Sequence, residues 1–463
     1  MMQPQQIVDR ALRGAAGEPM VVLVEEADQV NLRWANSTLT TNGHLHSQAV
    51  DIIACHRDRT GTRTVTVSGQ VADVADVDQL VARARAAAQT AAVAADAAEL
   101  PAQLQPTSPD WDQESPGTGP DEIRELAVDL GEMFRVGAAH DTRYFGYAEH
   151  DVTTTYLGST AGSRLRWRQH SSRLETTARD STGARSAWHG EAGNSLRSID
   201  LAAVADTLAT QLSWQQRQVT VPPGRHTVLL SPSAVADLMV ELYWYADAES
   251  AADGRSVFSG SDGGTRVGER LGEGITVASD PHHPDPTMRC ADFVAVAGGS
   301  STTSVFDNGG LIPATEWIAD GVLNQLVTTR ASAATTGLSY APAVDNLSMS
   351  TSAGHGDLME VASRLENGLL ITCLWYNRVV DPETLLLTGL TRDGVYLVAD
   401  GEVVGSCGNY RFNESPVGLL RRIVDSGSPE RTLARELGDY FARATVPPLV
   451  VADYNLSTSS DAR

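Results

Sequence analysis

Between Met20 and Val71 the chain passes through four short segments rich in Val, Ile, Thr and Leu: MVVLVEE from Met20, VNLRWAN from Val30, SQAVDIIACHR from Ser47 and TRTVTVSGQV from Thr62. Segments of this kind, closely spaced along the chain, read as an antiparallel meander with one buried face. That reading constrains the rest, because the apolar face has to be covered by another layer. Suitable covers flank it. Ile7, Val8, Ala11 and Leu12 share one helical face of the segment Gln5 to Arg13. Asp76 to Leu100 is dominated by alanine, with Leu80, Val81 and Ala84 in register. This predicts a helix whose small side chains pack closely on a sheet.

Residues 101–120 carry five prolines and no periodicity, which marks a surface excursion. A helix is expected from Asp121 to Val136. Two long antiparallel strands follow, in DTRYFGYAEHDVTTTYLGST and SRLRWRQHSSRLETTARD, and another helix from Ser198 to Gln216. VPPGR (Val221 to Arg225) is a boundary. Beyond it come the strand HTVLLS and the helix PSAVADLMVELYWYADAE. Short strands and Gly-rich turns dominate after that, with late strands in GLLITCLWYNRVV, LLLTGLTRDGVYLVADGEVVGS and PPLVVADYNLS. The fold class is therefore α+β. An N-terminal α/β domain over 1–220, with an antiparallel sheet and long helices, precedes a β-dominated domain over 221–463 with a curled sheet or barrel.

Charge removes several function classes. Acidic residues number 58 against 35 basic, a formal net charge of −23 over 463 residues. Such a field repels phosphate backbones and anionic lipid, so neither nucleic acid nor membrane is an expected partner. The N-terminus lacks the basic-then-apolar profile of a secretory signal, and no 18-residue apolar run is present. The expected location is cytoplasmic.

Catalytic patterns are missing. There is no HExxH or HExxxH, no GxSxG and no dinucleotide-type GxGxxG after a strand. His189-Gly190-Glu191 lacks a second histidine and reads as a loop or strand end. His282 and His283, near Asp280, Asp285, Cys290 and Asp292, have the composition of a metal site, but adjacent histidines diverge and the surrounding prolines indicate a solvent-facing turn. His282, His283 and Cys290 are the residual metal candidates. Cys55 and Cys373 sit in apolar strands as buried small side chains, and no CxxC pair occurs.

Several stretches together resemble the TldD/PmbA metallopeptidase family, and most of all its non-catalytic TldE/PmbA-like branch. They are LRWANSTLTTNG (Leu32 to Gly43), LLSPSAVADLMVELYWYADAES (Leu229 to Ser250), DNGG (Asp307 to Gly310), GVLNQLVTTRASA (Gly321 to Ala333) and the region Leu385 to Leu420 containing Asn409-Tyr410-Arg411-Phe412. Their order covers nearly the whole chain. Catalytic members carry HExxxH on the central helix and a zinc-binding Cys near the C-terminus. By position, Val240 and Tyr245 stand where the histidines would be and Glu241 where the glutamate would be. The terminal region has no cysteine. Glu241 then has no metal-bound water to deprotonate, and it reads as a solvated glutamate on the polar side of an amphipathic helix.

The resemblance implies a chain with no catalytic residue and no cofactor of its own, the zinc residing in a TldD-like partner subunit that carries HExxxH. Peptide substrate is expected to lie in a channel between the two, as a strand added to a sheet edge. Asp307, Asn308, Asn409 and Arg411 are the candidates for the channel wall. A homodimer is possible when the chain is alone. Two alternatives stay open at this point: a metallopeptidase active in its own right through a non-standard metal site, and a homo-oligomeric peptide-binding or assembly protein.

Overall fold

The computed structural model describes residues 2–103 and 106–460. Of the proline-rich excursion, Leu104 and Gln105 therefore lie outside the described residues, the rest up to Gly119 is irregular chain, and Pro120 opens a helix. The first sheet has six strands: β1 (Met20–Ala35), β2 (Thr38–Asp58), β3 (Gly61–Gly69), β4 (Thr142–Ser159), β5 (Arg164–Asp180) and β6 (Ser186–Gly193). Its order is β3-β2-β1-β4-β5-β6, antiparallel throughout.

The first two predicted segments are one strand. β1 continues through the polar stretch Glu25–Gln29 because it is flanked on both sides, Glu25 opposing Ala49 of β2 and Thr155 of β4. The backbone ladder there outweighs side-chain hydropathy. The unbroken run MVVLV also has a cause: both faces are buried at that end. Met20, Val22 and Val24 pack under helices α1 (Pro4–Arg13) and α2 (Val74–Thr90). Val21 and Leu23 meet Phe293, Val305 and Phe306 from the second half of the chain. The expectation of a single buried face fails here, since the second half covers the other one. At the far end of the sheet Val30, Leu32 and Trp34 sit below α3 (Pro120–Ala139) and α4 (Leu201–Trp214).

The alanine-rich helix is shorter than predicted. α2 opens with a capping box between Asp73 and Asp76 and stops at Thr90, not Leu100. Beyond it the chain runs extended along the edge of β3: the Ala94 N–H donates to the Thr62 carbonyl at 2.9 Å, and Arg63 Nη1 to the Ala91 carbonyl at 2.6 Å. An open strand edge overrides alanine's helix propensity.

The second half builds two more sheets, one of six strands and one of nine. At the centre of the larger lies β7 (Gly224–Leu230), antiparallel to Leu449–Ser460 and parallel to Asn367–Ile371. The chain is a mixed α+β fold, 24% helix and 39% strand, with antiparallel sheets dominating and no closed barrel among the described residues. Of the two expectations for the second half, the barrel is therefore not formed. GLLITCLWYNRVV divides into Asn367–Ile371 and Leu374–Asp381, because these strands belong to different parts of the nine-stranded sheet.

Directly after β7 comes α5 (Pro232–Trp244). Ser231 caps it, its hydroxyl accepting the Ala234 N–H at 3.3 Å, and Pro232 takes the first-turn place where no N–H is needed. Every residue from Pro232 to Tyr243 is buried. Leu238, Met239, Val240 and Leu242 belong to the largest core, with Phe258, Trp317 and Phe412. The helix ends at Trp244, and a separate short helix, Ala248–Ala252, starts from an Asp247 cap.

Candidate functional site

The degenerate motif lies on the C-terminal half of α5, and its surroundings correct the sequence reading. α5 is enclosed by core, and the stripe of Ser233, Asp237 and Glu241 along one side of it is buried with the rest, so Glu241 does not lie on a solvent-facing side. Glu241 is 8% exposed and not a solvated surface residue. Burial, then the nearby Glu436 carboxylate, lifts its pKa to about 7 against the pull of Arg378. Val240 is fully buried and offers no lone pair. Tyr245 is half-buried, its phenol pushed upward by burial and by Glu241, so it resists ionisation. With no imidazole or thiolate among Val240, Glu241 and Tyr245, this donor set does not fit a zinc ion.

One helical turn before Glu241 sits Asp237, which has no exposed surface. Its carboxyl accepts the backbone N–H groups of Arg435, Glu436 and Leu437 at 3.2, 3.1 and 3.1 Å, tying that turn to the helix. Complete burial drives its pKa well up, opposed by these donors. Glu436 in turn accepts the Tyr376 N–H at 2.9 Å and pairs with Arg378 Nη1 at 2.9 Å. Tyr376 holds a left-handed backbone, φ 60°, with its ring beneath the Arg378 guanidinium at 4.3 Å. Strained, exposed aromatic residues of this kind gather at functional surfaces.

Arg435 joins the two halves of the chain. Its guanidinium lies 5.0 Å from the Trp188 ring of β6 and 5.2 Å from the Trp375 ring, and it pairs with buried Asp393 at 2.5 Å. It also donates to Cys373 Sγ at 2.9 Å. Burial raises the Cys373 thiol to about 11, which makes it a buried small side chain as expected. Asp393 stays below the usual carboxylate range: burial is the largest influence and opposes ionisation, but Arg435, Ser186 and Arg392 together outweigh it.

The other candidates are dispersed. His282 is exposed, 3.5 Å from Asp292, while His283 Nδ1 accepts the Asp285 N–H at 3.1 Å within the turn. Cys290 is buried, and burial lifts its thiol to about 12. Among the described residues no three His, Cys, Asp or Glu side chains form a group able to hold a metal ion. His189-Gly190-Glu191 lies inside β6, not in a loop, with His189 Nε2 3.0 Å from Glu191.

Asp307 borders a 480 Å³ cleft between the β4–β5 face and the second half, but its carboxylate is held by Arg330 at 2.8 Å. Asn308 is fully buried, its amide bonded to both backbone groups of Val296 and to the Val305 carbonyl, so it braces the turn and has no surface to offer a ligand. Asn409 borders a different cleft of 810 Å³, with Arg179, Arg185 and Asp393. Arg411 is exposed on the strand Asn409–Glu414. The four channel candidates therefore do not converge on one cavity. Sequence reasoning missed Asp237, Glu436, Arg435 and Asp393. Only Asp237 left a signal, as an acid inside the apolar run SAVADLMVEL.

Comparison with known proteins places this architecture. No curated protein matches the sequence. Among solved structures, TldE from Thermococcus kodakarensis is similar at 14% identity and TM-score 0.77, over 97% of this chain and 99% of that one. A putative modulator of DNA gyrase from Thermotoga maritima is similar at 16% identity and TM-score 0.76, over 98% and 100%. One from Bacteroides thetaiotaomicron is similar at 12% and 0.75, over 98% and 99%. At such identities these likenesses speak for the fold. The family model of the PmbA/TldA metallopeptidase C-terminal domain matches residues 223–458. That is just over half of the 463 residues, and it includes β7, α5 and the strands around them: the chain belongs to the TldD/PmbA metallopeptidase family.

Proposed function

We propose that this chain is the non-catalytic, metal-free subunit of a heterodimeric, cytoplasmic TldD/TldE-type zinc metallopeptidase. Its partner is a TldD-like subunit carrying HExxxH. This chain contributes scaffold and one wall of the cavity in which peptide is cleaved. The observation that carries the reading is α5. At the family's metal-binding positions it presents Val240 and Tyr245, with Glu241 shielded from water against Glu436. A buried carboxyl without a metal-bound water has nothing to deprotonate. The strongly acidic composition favours neutral or basic peptides in the channel.

The test is a pair of substitutions in the reconstituted heterodimer: Glu241→Gln here and, separately, the metal-adjacent glutamate of the partner to glutamine. Only the second should abolish turnover. Loss of activity on Glu241→Gln, with the complex intact, would place chemistry in this chain and overturn the proposal.

A further inference from the structure

Arg143 of β4 and Arg179 of β5 stand directly opposite each other in the first sheet. Their sequence neighbours Tyr144 and Ala178 are buried under α3 and α4, so both arginines project from the other face. Arg143 is exposed and Arg179 half-buried, and neither forms an ion pair among the described residues. Like charges directly opposite on a sheet repel. The same two strands solve that problem further along the same face, where Arg173 is opposed by Glu149 and bonded to it at 2.5 Å. A chain with 58 acidic residues could place a carboxylate opposite Arg179 as well, and places a second arginine there.

Arg179 borders the 810 Å³ cleft between the β5–β6 turn and residues 393–395 and 406–409 of the second half. The acids on that cleft already have cations: Asp180 has Arg185 at 3.0 Å, and Asp393 has Arg435 at 2.5 Å and Arg392 at 3.7 Å. The uncompensated charge at this place is therefore positive, in a chain of net charge −23. The Arg179 guanidinium lies 5.6 Å over the Phe145 ring, which steadies its plane and uses none of its N–H donors. The neutral amides of Gln216 and Gln218 border the same cleft.

We propose that this cleft is a carboxylate-binding site, in which Arg179 and Arg143 receive the anion and Gln216 and Gln218 face the polar body of the ligand. The planar fork of arginine matches the two oxygens of a carboxylate. A small organic acid and the C-terminus of a peptide both carry that group. No residue of α5 lines the cleft, so the site does not depend on the reading of the degenerate motif.

The test is calorimetric titration of the full-length chain at low salt with succinate, N-acetyl-trialanine, its C-terminal amide and inorganic phosphate. The carboxylates should bind, more weakly as salt rises, and the amide should not. Arg143→Gln or Arg179→Gln should weaken binding about tenfold, and the double variant should abolish it. Arg33→Gln, at an exposed arginine of β1 on the same face, should leave it unchanged. Without ligand the double variant should melt no lower than wild type, because a repulsion has been removed, and carboxylate should raise the melting temperature of wild type alone. Tighter binding of the tripeptide acid than of succinate assigns the site to peptide termini; the reverse assigns it to small acids. No carboxylate binding at 10 mM ligand overturns the inference, as does wild-type affinity in the double variant, equal binding of acid and amide, or binding of phosphate alone. Should the double variant unfold, the comparison of acid with amide on the wild-type chain decides, together with slowed hydrogen exchange over 183–186.

Discussion

Glutamine at position 241 should make the protein more stable at alkaline pH and leave it nearly unchanged in acid. Burial and Glu436 raise the Glu241 carboxyl from its ordinary 4.5 to about 7. In the unfolded chain the group releases its proton near pH 4.5; in the folded chain it keeps the proton until about pH 7. Between those values the folded state binds more protons than the unfolded state, so stability falls as pH rises through this window and levels off above it. Each pKa unit corresponds to about 1.4 kcal/mol, which makes the penalty at pH 8 about 3 kcal/mol. Glutamine keeps the size, carries no charge and escapes that penalty. Urea denaturation of both proteins, followed by circular dichroism at pH 5 and pH 8, reads the difference directly. The variant should gain about 2–3 kcal/mol over wild type at pH 8 and less than about 1 kcal/mol at pH 5. Equal curves at both pH values, or a less stable variant at pH 8, would mean that Glu241 is ionised and held by a favourable partner. The physical account of the degenerate motif would then be wrong.

Other perturbations probe the same neighbourhood. Met239→Ala, at a fully buried position of α5, should cost about 2–5 kcal/mol in denaturation experiments. Asp237→Ala strands the N–H groups of Arg435, Glu436 and Leu437; a loss of about 3 kcal/mol or more, with faster hydrogen exchange at these amides, is expected. Arg435→Met leaves buried Asp393 with only the more distant Arg392, 3.7 Å away, and should cost about 3 kcal/mol. Adding Asp393→Asn to Arg435→Met should recover part of that loss, and full additivity in this double-mutant cycle would refute the pairing.

The features most readable in the sequence were those with local causes. The helix over Gln5 to Arg13, the long strands β4 and β5, and the Ser-Pro start of α5 follow from periodicity and capping, and the structure has them. The limits of α2 were hidden, because Ala91 to Leu100 is captured by the edge of β3, a partner distant along the chain. The polarity of Glu241 was misjudged for a related reason. VADLMVELY contains two acids, and only the packing of α5 inside the second half shows that neither meets bulk water. The family motifs were legible by their order. Asn308 illustrates what motifs leave out: its place in DNGG says nothing of the three backbone bonds that consume its amide. The Arg435 cluster joins residues from β6, Trp375, Cys373 and Asp393, separated by up to about 250 positions, and no local pattern announces it.

The division of labour is tested most directly by metal content. The chain should be purified alone and also after co-expression with a TldD-like partner, each fraction sized by chromatography and assayed for zinc. The expected result is one zinc per heterodimer, all of it retained by the partner on dissociation, and none in this chain alone. A stoichiometric zinc in the isolated chain, accompanied by peptide hydrolysis, would contradict a non-catalytic subunit.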